Sequence, residues 1–244
     1  MVKERIKMRA SVIIPAFNVE KYIIEALESV LNQRRVTITD LEVIVVDDGS
    51  TDKTAQVAQE YINQSNLNIK FKRQENQGAG SARNKAMGLA TGDIYFMLDG
   101  DDFLHCDCIA TCLNKFKTSL STDLVYSDHA NVNAKGNITE LRLKQAFNPA
   151  KFLAKNYIGH VKAIRREVAI PFDENIHYAE DYQWLMQLMN NGVSFVHVPR
   201  VLYYWRRGHE SVSSRISIEE RDRNTRMIQE RATIQSLPPP LPSS

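Results

Sequence analysis

Apolar and polar positions come in short alternating blocks along the first hundred residues. Ser11-Val12-Ile13-Ile14 is a β-rich run that ends at Pro15. Tyr22, Ile23, Ala26, Leu27, Val30 and Leu31 then recur at three- and four-residue steps, the spacing of an amphipathic helix. Leu41 to Val46 reads as a buried strand closed by Asp47-Asp48-Gly49. Ser50, Thr51 and Asp52 offer capping oxygens to a helix whose inner face is Ala55, Ala58, Tyr61 and Ile62. Ile69 to Arg73 alternates as a third strand, and Gly78-Ala79-Gly80-Ser81 opens a helix marked by Ala82, Ala86 and Leu89. Ile94 to Leu98 predicts a fourth strand, ending abruptly at Asp99-Gly100-Asp101-Asp102 and followed by a helix over Leu104–Phe116.

Repeated β-α units of this length predict an α/β fold, a mostly parallel sheet with helices on both faces, because parallel neighbours need a crossover. In such sheets ligands bind beyond the carboxyl ends of the strands. Phe17-Asn18, Asp47-Asp48 and Asp99 to Asp102 all fall there. Past residue 120 the rhythm is mixed. Asp123 to Ser127 predicts a strand, Asn133 to Gly136 a turn, Glu180 to Asn190 a helix, and Val193–Val198 and Val201–Trp205 two further strands. Ile218 to Ser236 predicts a polar helix with a thin stripe of Met227, Ile228 and Ile234. The tail from Pro238 to Ser244 is too proline-rich to pack, and a role as an SH3-type ligand is open to it.

Composition narrows the class. The 244 residues are 43% hydrophobic and 25% charged, enough for a sizeable core. A net charge of +2 is too even for a protein devoted to polyanions, so no nucleic-acid partner is expected. No apolar run approaches the roughly 18 residues of a spanning helix. Pro15 and Asn18 interrupt the one stretch that resembles a signal peptide, so the start reads as a charged lead-in to a strand in a cytosolic protein. Cys106, Cys108 and Cys112 are clustered rather than spread, which favours a reducing compartment, and Cys108 and Cys112 share one helix face as small apolar fillers.

The chemistry lies at the strand ends. Three carboxylates within four residues repel one another unless a cation neutralises them, and hard oxygen ligands suit Mg²⁺ or Mn²⁺. A solvated turn, with Asp102 capping the next helix, is the alternative. Asp47-Asp48 can accept hydrogen bonds from a ligand or cap a tight glycine turn. The loop Gly78-Ala79-Gly80 departs from a dinucleotide fingerprint where Arg83 replaces a third glycine, but it allows close backbone approach, with Arg83 in reach of a phosphate. Glu180-Asp181 is either a first-turn pair favoured by the helix dipole or a general base. Arg206, Arg207, His209, Ser211 and Ser213 are either a pyrophosphate-binding cluster or a surface loop.

Taken in series, five segments resemble inverting glycosyltransferase family 2 of the GT-A fold. They are Ser11 to Asn18, Val43 to Asp52, Asn76 to Asn84, Leu98 to Asp102 and Glu180 to Trp184. The resemblance implies a sugar nucleotide, most often UDP-linked, as donor. It implies donor contacts from Pro15, Ala16, Phe17, Asn18, Glu20, Asp48, Gly78, Arg83, Asp99, Gly100 and Arg206, with Phe17 stacking on the base and Asp48 hydrogen-bonding it. Asp101, with Asp99, would ligate Mn²⁺ or Mg²⁺, and Asp181 would be the catalytic base with Glu180 beside it. His209 is the remaining metal candidate. It sits one residue late, because Gly208 holds the place where the family carries histidine.

By the same resemblance, residues 1–215 form one GT-A domain, its donor half about 1–128 and its acceptor half about 129–215. A C-terminal helix over 216–236 and a disordered tail over 237–244 follow. From their chemistry, Tyr157, His160, Phe172, His177 and Tyr178 offer stacking and hydrogen-bonding surfaces for an acceptor pocket, with a mixture of core and surface positions as the alternative. The polymerase signature Gln-x-x-Arg-Trp and flanking spans are missing, which favours transfer of single sugars to a glycan or lipid-linked acceptor, hexosyl or N-acetylhexosaminyl, in bacterial-type surface polysaccharide or glycoconjugate synthesis. The setting expected is the cytoplasm or the inner face of the membrane, with peripheral contact open to the last helix. Two alternatives stand beside this reading. A sugar-1-phosphate nucleotidyltransferase would want a basic glycine-rich loop where Ala16-Phe17-Asn18-Val19 stands, and a non-catalytic nucleotide-sugar or glycan-binding module would not need both Asp101 and Asp181.

Overall fold

A computed structural model describes residues 8–65, 68–159, 162–208 and 217–235. The chain runs β1 (Ala10–Ala16), α1 (Ile23–Leu31), β2 (Leu41–Asp48), α2 (Thr54–Gln64), β3 (Ile69–Gln74), α3 (Ala79–Leu89), β4 (Ile94–Met97) and β5 (Phe103–Leu104). It continues through α4 (Cys108–Thr118), β6 (Leu124–Val132), β7 (Ile138–Arg142), α5 (Pro149–Ala154), β8 (Lys162–Arg165), α6 (Glu180–Asn190), β9 (Phe195–Arg206) and α7 (Ile218–Gln235). The strands form one sheet in the order β3-β2-β1-β4-β8-β6-β9-β5, with β7 hanging on β6.

The first four strands are parallel, as the β-α rhythm requires. Strand β8 then runs antiparallel between β4 and β6, so β6 points the same way as β4. Strands β1, β2 and β4 are buried along their whole length, which explains their near-continuous apolar sequence. Their side chains still alternate. Val12, Ile14, Val43, Val45, Ile94 and Phe96 face a core made with α1, α2 and α4. Ile13, Ile44, Val46, Tyr95 and Met97 face a second core made with α3, α5, α6 and α7.

Several elements differ from the sequence expectation. The helix expected at Leu104 starts at Cys108, because Phe103 and Leu104 pair with β9 as a short strand. The two strands expected around Pro199 are one continuous strand, β9. Strands β7 and β8 and helix α5 were not legible: β7 is wholly exposed and carries no apolar alternation to mark it. The last helix joins the second core through Ile228, which is 1% exposed, and Gln229 donates to the Ala154 carbonyl. Cys108 and Cys112 are both buried, as their spacing implied. Among the described residues, no helix is long and apolar enough to cross a membrane.

At the amino end of the sheet, the buried Glu42 ties three strands together. It accepts from the Ser11 hydroxyl, the Thr91 and Gly92 amides, and Lys70 Nζ at 3.0 Å. Burial alone would raise its pKa, but these donors hold it down to about 2. A carboxylate depressed from its usual value of 4.5 contributes stability that is fully present above that value and is lost as the pH falls through about 2. The shift corresponds to roughly 3 to 4 kcal/mol. Glu42→Gln should therefore lower the urea-unfolding free energy at pH 7 by about that amount, with the gap to wild type closing between pH 4.5 and 2. A pH-independent gap would refute the account.

Candidate active site

The parallel register brings the carboxyl ends of β1, β2 and β4 to one edge. Ala16 lies beside Asp47, and Met97 beside Ile13. Residues after β1 are welded to the turn after β2. Asn18 adopts a left-handed φ of 54° and its Oδ1 accepts from the Thr51 amide at 2.8 Å, while its own amide donates to Ser50 Oγ. Val19 N–H donates to Thr54 Oγ1, and Glu20 accepts from the Lys53 amide. The oxygens expected to cap α2 thus serve largely to lock this crossing, with Asp52 alone accepting from the Thr54 amide. Pro15 and Ala16 are buried beneath, and Phe17 remains partly exposed above.

Asp48 is 3% exposed and accepts from the Gln77 and Gly78 amides at 2.9 and 2.8 Å and from the Gln74 side chain. It therefore shapes the glycine loop that opens α3. Gly78 has φ 93°, and a Cβ there would press to 3.2 Å from the His177 ring. Gly100 is required for closeness of another kind. Its amide donates to the Pro15 carbonyl, and a Cβ would stand 3.1 Å from that oxygen.

The three aspartates after β4 do not act as a set. Asp102 is 1% exposed and turned inward, accepting from Tyr203 Oη and the Arg206 amide at 2.7 Å each. It caps no helix and is not on the crevice. Burial first, then the neighbouring Asp101 and Asp99 carboxylates, push its pKa well above the usual range. Asp99 and Asp101 are partly exposed. Tyr203, unremarked in the sequence, also accepts from the Asp99 amide at 3.2 Å, so one phenol fixes both ends of the loop.

Arg206 is a correction. It was expected on the donor, yet it is 2% exposed and its donors are committed. Its Nε donates to the Asp101 carbonyl at 2.9 Å, its Nη1 to the Ala134 and Asn133 carbonyls, and its Nη2 pairs with Glu25. The guanidinium stacks over Tyr22 at 4.6 Å and Phe103 at 5.4 Å. It pins the aspartate loop from below rather than reaching into the crevice. His209, Ser211 and Ser213 lie outside the described residues, as does His160.

Arg83 joins the two halves of the site. Its Nη2 donates to Asp99 Oδ1 and its Nη1 to Glu180 Oε1, both at 2.7 Å, from a position 6% exposed. Burial alone would make it less basic, but the two carboxylates raise its pKa. The guanidinium also lies 5.3 Å from the Phe172 ring, which stacks on Trp184 of α6. Next to it, Asn84 donates to the Phe172 carbonyl and accepts from its amide. Phe172, expected in an acceptor pocket, is therefore core. Tyr157 likewise bonds Asn148 through its hydroxyl, while His177 stays exposed.

Helix α6 begins after Ala179, which holds φ 56°, a costly conformation for a residue with a Cβ. That strained entry sets Glu180 on Arg83, with Asp181 next in the first turn. Elsewhere, His105, Cys106 and Asp107 bring ligand-type atoms within 4.8 Å of one another. His105 Nδ1, however, already accepts the Asp107 amide at 3.1 Å.

A half-parallel sheet with acidic loops at its carboxyl edge, closed by a mixed second half, defines the GT-A class of nucleotide-sugar transferase folds. Comparison makes the assignment specific: residues 11–171 match the glycosyl transferase family 2 model, and the chain belongs to that family. A chondroitin synthase of Escherichia coli is 36% identical over 197 residues, 79% of this chain and 28% of that protein. The poly(ribitol-phosphate) β-N-acetylglucosaminyltransferase TarS of Staphylococcus aureus is 29% identical over 87% of this chain and 38% of its own length. The crystal structure of TarS residues 1–349 with UDP-GlcNAc superposes with a TM-score of 0.75 at 26% identity, covering 91% of this chain and 65% of that one. The chain thus spans about a third of the length of these curated relatives.

Replacing Arg83 by Met strands two carboxylates and should cost about 3 kcal/mol in urea unfolding. Arg83→Lys should recover only part of that, since one ammonium cannot bridge both groups as a planar fork does. A lysine variant as stable as wild type would show that the bridge is dispensable.

Proposed function

We propose that this chain carries a family 2 glycosyltransferase activity, moving a sugar from a UDP-sugar to an acceptor hydroxyl with inversion at the anomeric carbon. The observation that carries the reading is the Arg83 bridge, which couples Asp99 at the end of β4 to Glu180 at the start of α6. An acidic loop for the diphosphate and a carboxylate pair for the acceptor are thereby held in fixed relation. The likeness to TarS in complex with UDP, at 27% identity over 91% of this chain, supports UDP as the carrier. N-acetylglucosamine is the sugar we propose to test first.

In this reading Phe17 stacks on the nucleobase, while Asp48 keeps the loop of Gly78 in shape beside it. Asp101 and Asp99 would hold Mn²⁺ or Mg²⁺. Two partly exposed carboxylates suit such an ion, which takes its remaining oxygens from phosphate and water, and a cation would neutralise the Asp101 and Asp99 charges that, after burial, raise the Asp102 pKa. The ion, when bound, supplies Lewis-acid withdrawal of charge from the diphosphate. Asp181 takes the proton of the acceptor hydroxyl as that oxygen attacks the anomeric carbon from the opposite face. Glu180 is not free for that task, because Arg83 holds it. A single displacement inverts the configuration.

Asp181→Asn should lower kcat for transfer by at least about a hundredfold while leaving UDP binding within threefold of wild type, measured by calorimetry. Asp101→Asn should remove the dependence of UDP affinity on Mn²⁺. Transfer by Asp181→Asn at near wild-type kcat, or a product of retained anomeric configuration by NMR, would overturn the assignment.

A further inference from the structure

Strand β6 carries polar side chains into a buried stretch that the donor chemistry does not use. Tyr126 lies opposite Lys162, and Lys162 opposite Met97 at the end of β4. Residues 128–132 therefore extend past β4 to the level of the aspartate loop, two strands over, with β8 between. His129 sits beside Tyr203, the residue whose hydroxyl holds Asp99 and Asp102. Near this point the chain returns through Lys144 and again through Gly159. A Cβ at Gly159 would lie 3.1 Å from His129 Nδ1 and 3.2 Å from Lys144 Nζ, so both side chains converge on one glycine whose φ is +75°.

The Lys144 ammonium is half-buried and, among the described residues, its Nζ makes no hydrogen bond or ion pair. Its neighbours do not neutralise it. Asp128 is already taken by the Lys144 amide at 2.7 Å and by His197 Nε2 at 2.8 Å, and Glu140 is taken by Arg142 and Asn131. Burial first, then Arg142, draw the Lys144 pKa down to about 8 against the pull of Asp128, and Lys155 adds to the lowering. A half-buried cation crowded by two others is an unfavourable arrangement that an anion relieves.

We propose that Lys144, flanked by Arg142 and Lys155 and backed by Gly159, is the subsite for an anionic group on the acceptor, a phosphate or a carboxylate. The inference rests on the transferase reading for calling the bound molecule an acceptor, but the anion site itself stands on the Lys144 geometry. It makes the acceptor an anionic chain rather than a neutral glycan. The anion enters beside the crevice, level with the aspartate loop but outside the donor contacts.

The test uses the full chain saturated with UDP and Mn²⁺, so that the diphosphate position is filled, and titrates glycerol 3-phosphate, D-glucuronate and neutral glycerol by calorimetry. At least one of the two anions should bind and glycerol should not, the stronger anion telling phosphate from carboxylate. Lys144→Met should weaken the anion at least about tenfold, the loss of one charge-assisted hydrogen bond, and Lys144→Arg should hold it within about threefold. Equal affinity in wild type and Lys144→Met, or glycerol binding as well as the anions, overturns the inference. The preceding UDP titration reports on the donor site separately. Normal UDP binding with an unchanged anion affinity in Lys144→Met removes this subsite and leaves the transferase reading intact.

Discussion

A single guanidinium, buried between two carboxylates, carries the geometry of this molecule. Arg83 leaves α3 in the first half of the chain and holds Asp99 at the end of β4 and Glu180 at the head of α6 with equal hydrogen bonds of 2.7 Å. An arginine can do this because its planar fork presents two donors in fixed directions, whereas a lysine offers a point charge. Neither acid is free to swing, and the residue after Glu180 is Asp181. The separation between the end of β4 and the head of α6 is thus set by one side chain and by the packing of Phe172 and Trp184 against it.

The aspartate loop shows the same economy of support. Asp102 is spent on holding Tyr203 and the Arg206 amide, Arg206 is spent on holding the Asp101 carbonyl, and Gly100 presses on Pro15. These contacts leave Asp99 and Asp101 as the partly exposed acids. A motif that looks like three equivalent ligands is in fact two partly exposed acids and one internal strut, and the strut's raised pKa records first its burial and then the nearby Asp101 and Asp99 charges.

The second half of the sheet is built on different lines. Strand β6 is buried along its length, yet it carries Ser127, Asp128, His129 and Asn131 there. Such polar burial is unfavourable unless the groups find partners or a ligand. Its pairing with β9 shifts register between Ser127 and His129, which turns side chains away from simple alternation. Sequence periodicity therefore marked only the start of β6, in the strand expected over Asp123 to Ser127, and lost it beyond the register shift, while the short exposed strand β7 offered no pattern at all.

What the amino-acid sequence determined on its own was the parallel half of the sheet, because apolar runs and helical spacing repeat there with acidic or glycine-rich ends, and local chemistry suffices to specify each element. The five family segments and the candidate acids Asp99, Asp101, Glu180 and Asp181 were legible for the same reason. What only tertiary structure decided was which of the neighbouring charges point into the crevice. Asp102 and Arg206 look like ligands in sequence and turn out to be supports, while Glu25 and Tyr203 look ordinary and hold the loop in place. Those roles depend on groups up to 181 residues apart meeting in a low-dielectric interior, where every buried charge must find a counterpart, and no local pattern encodes that pairing.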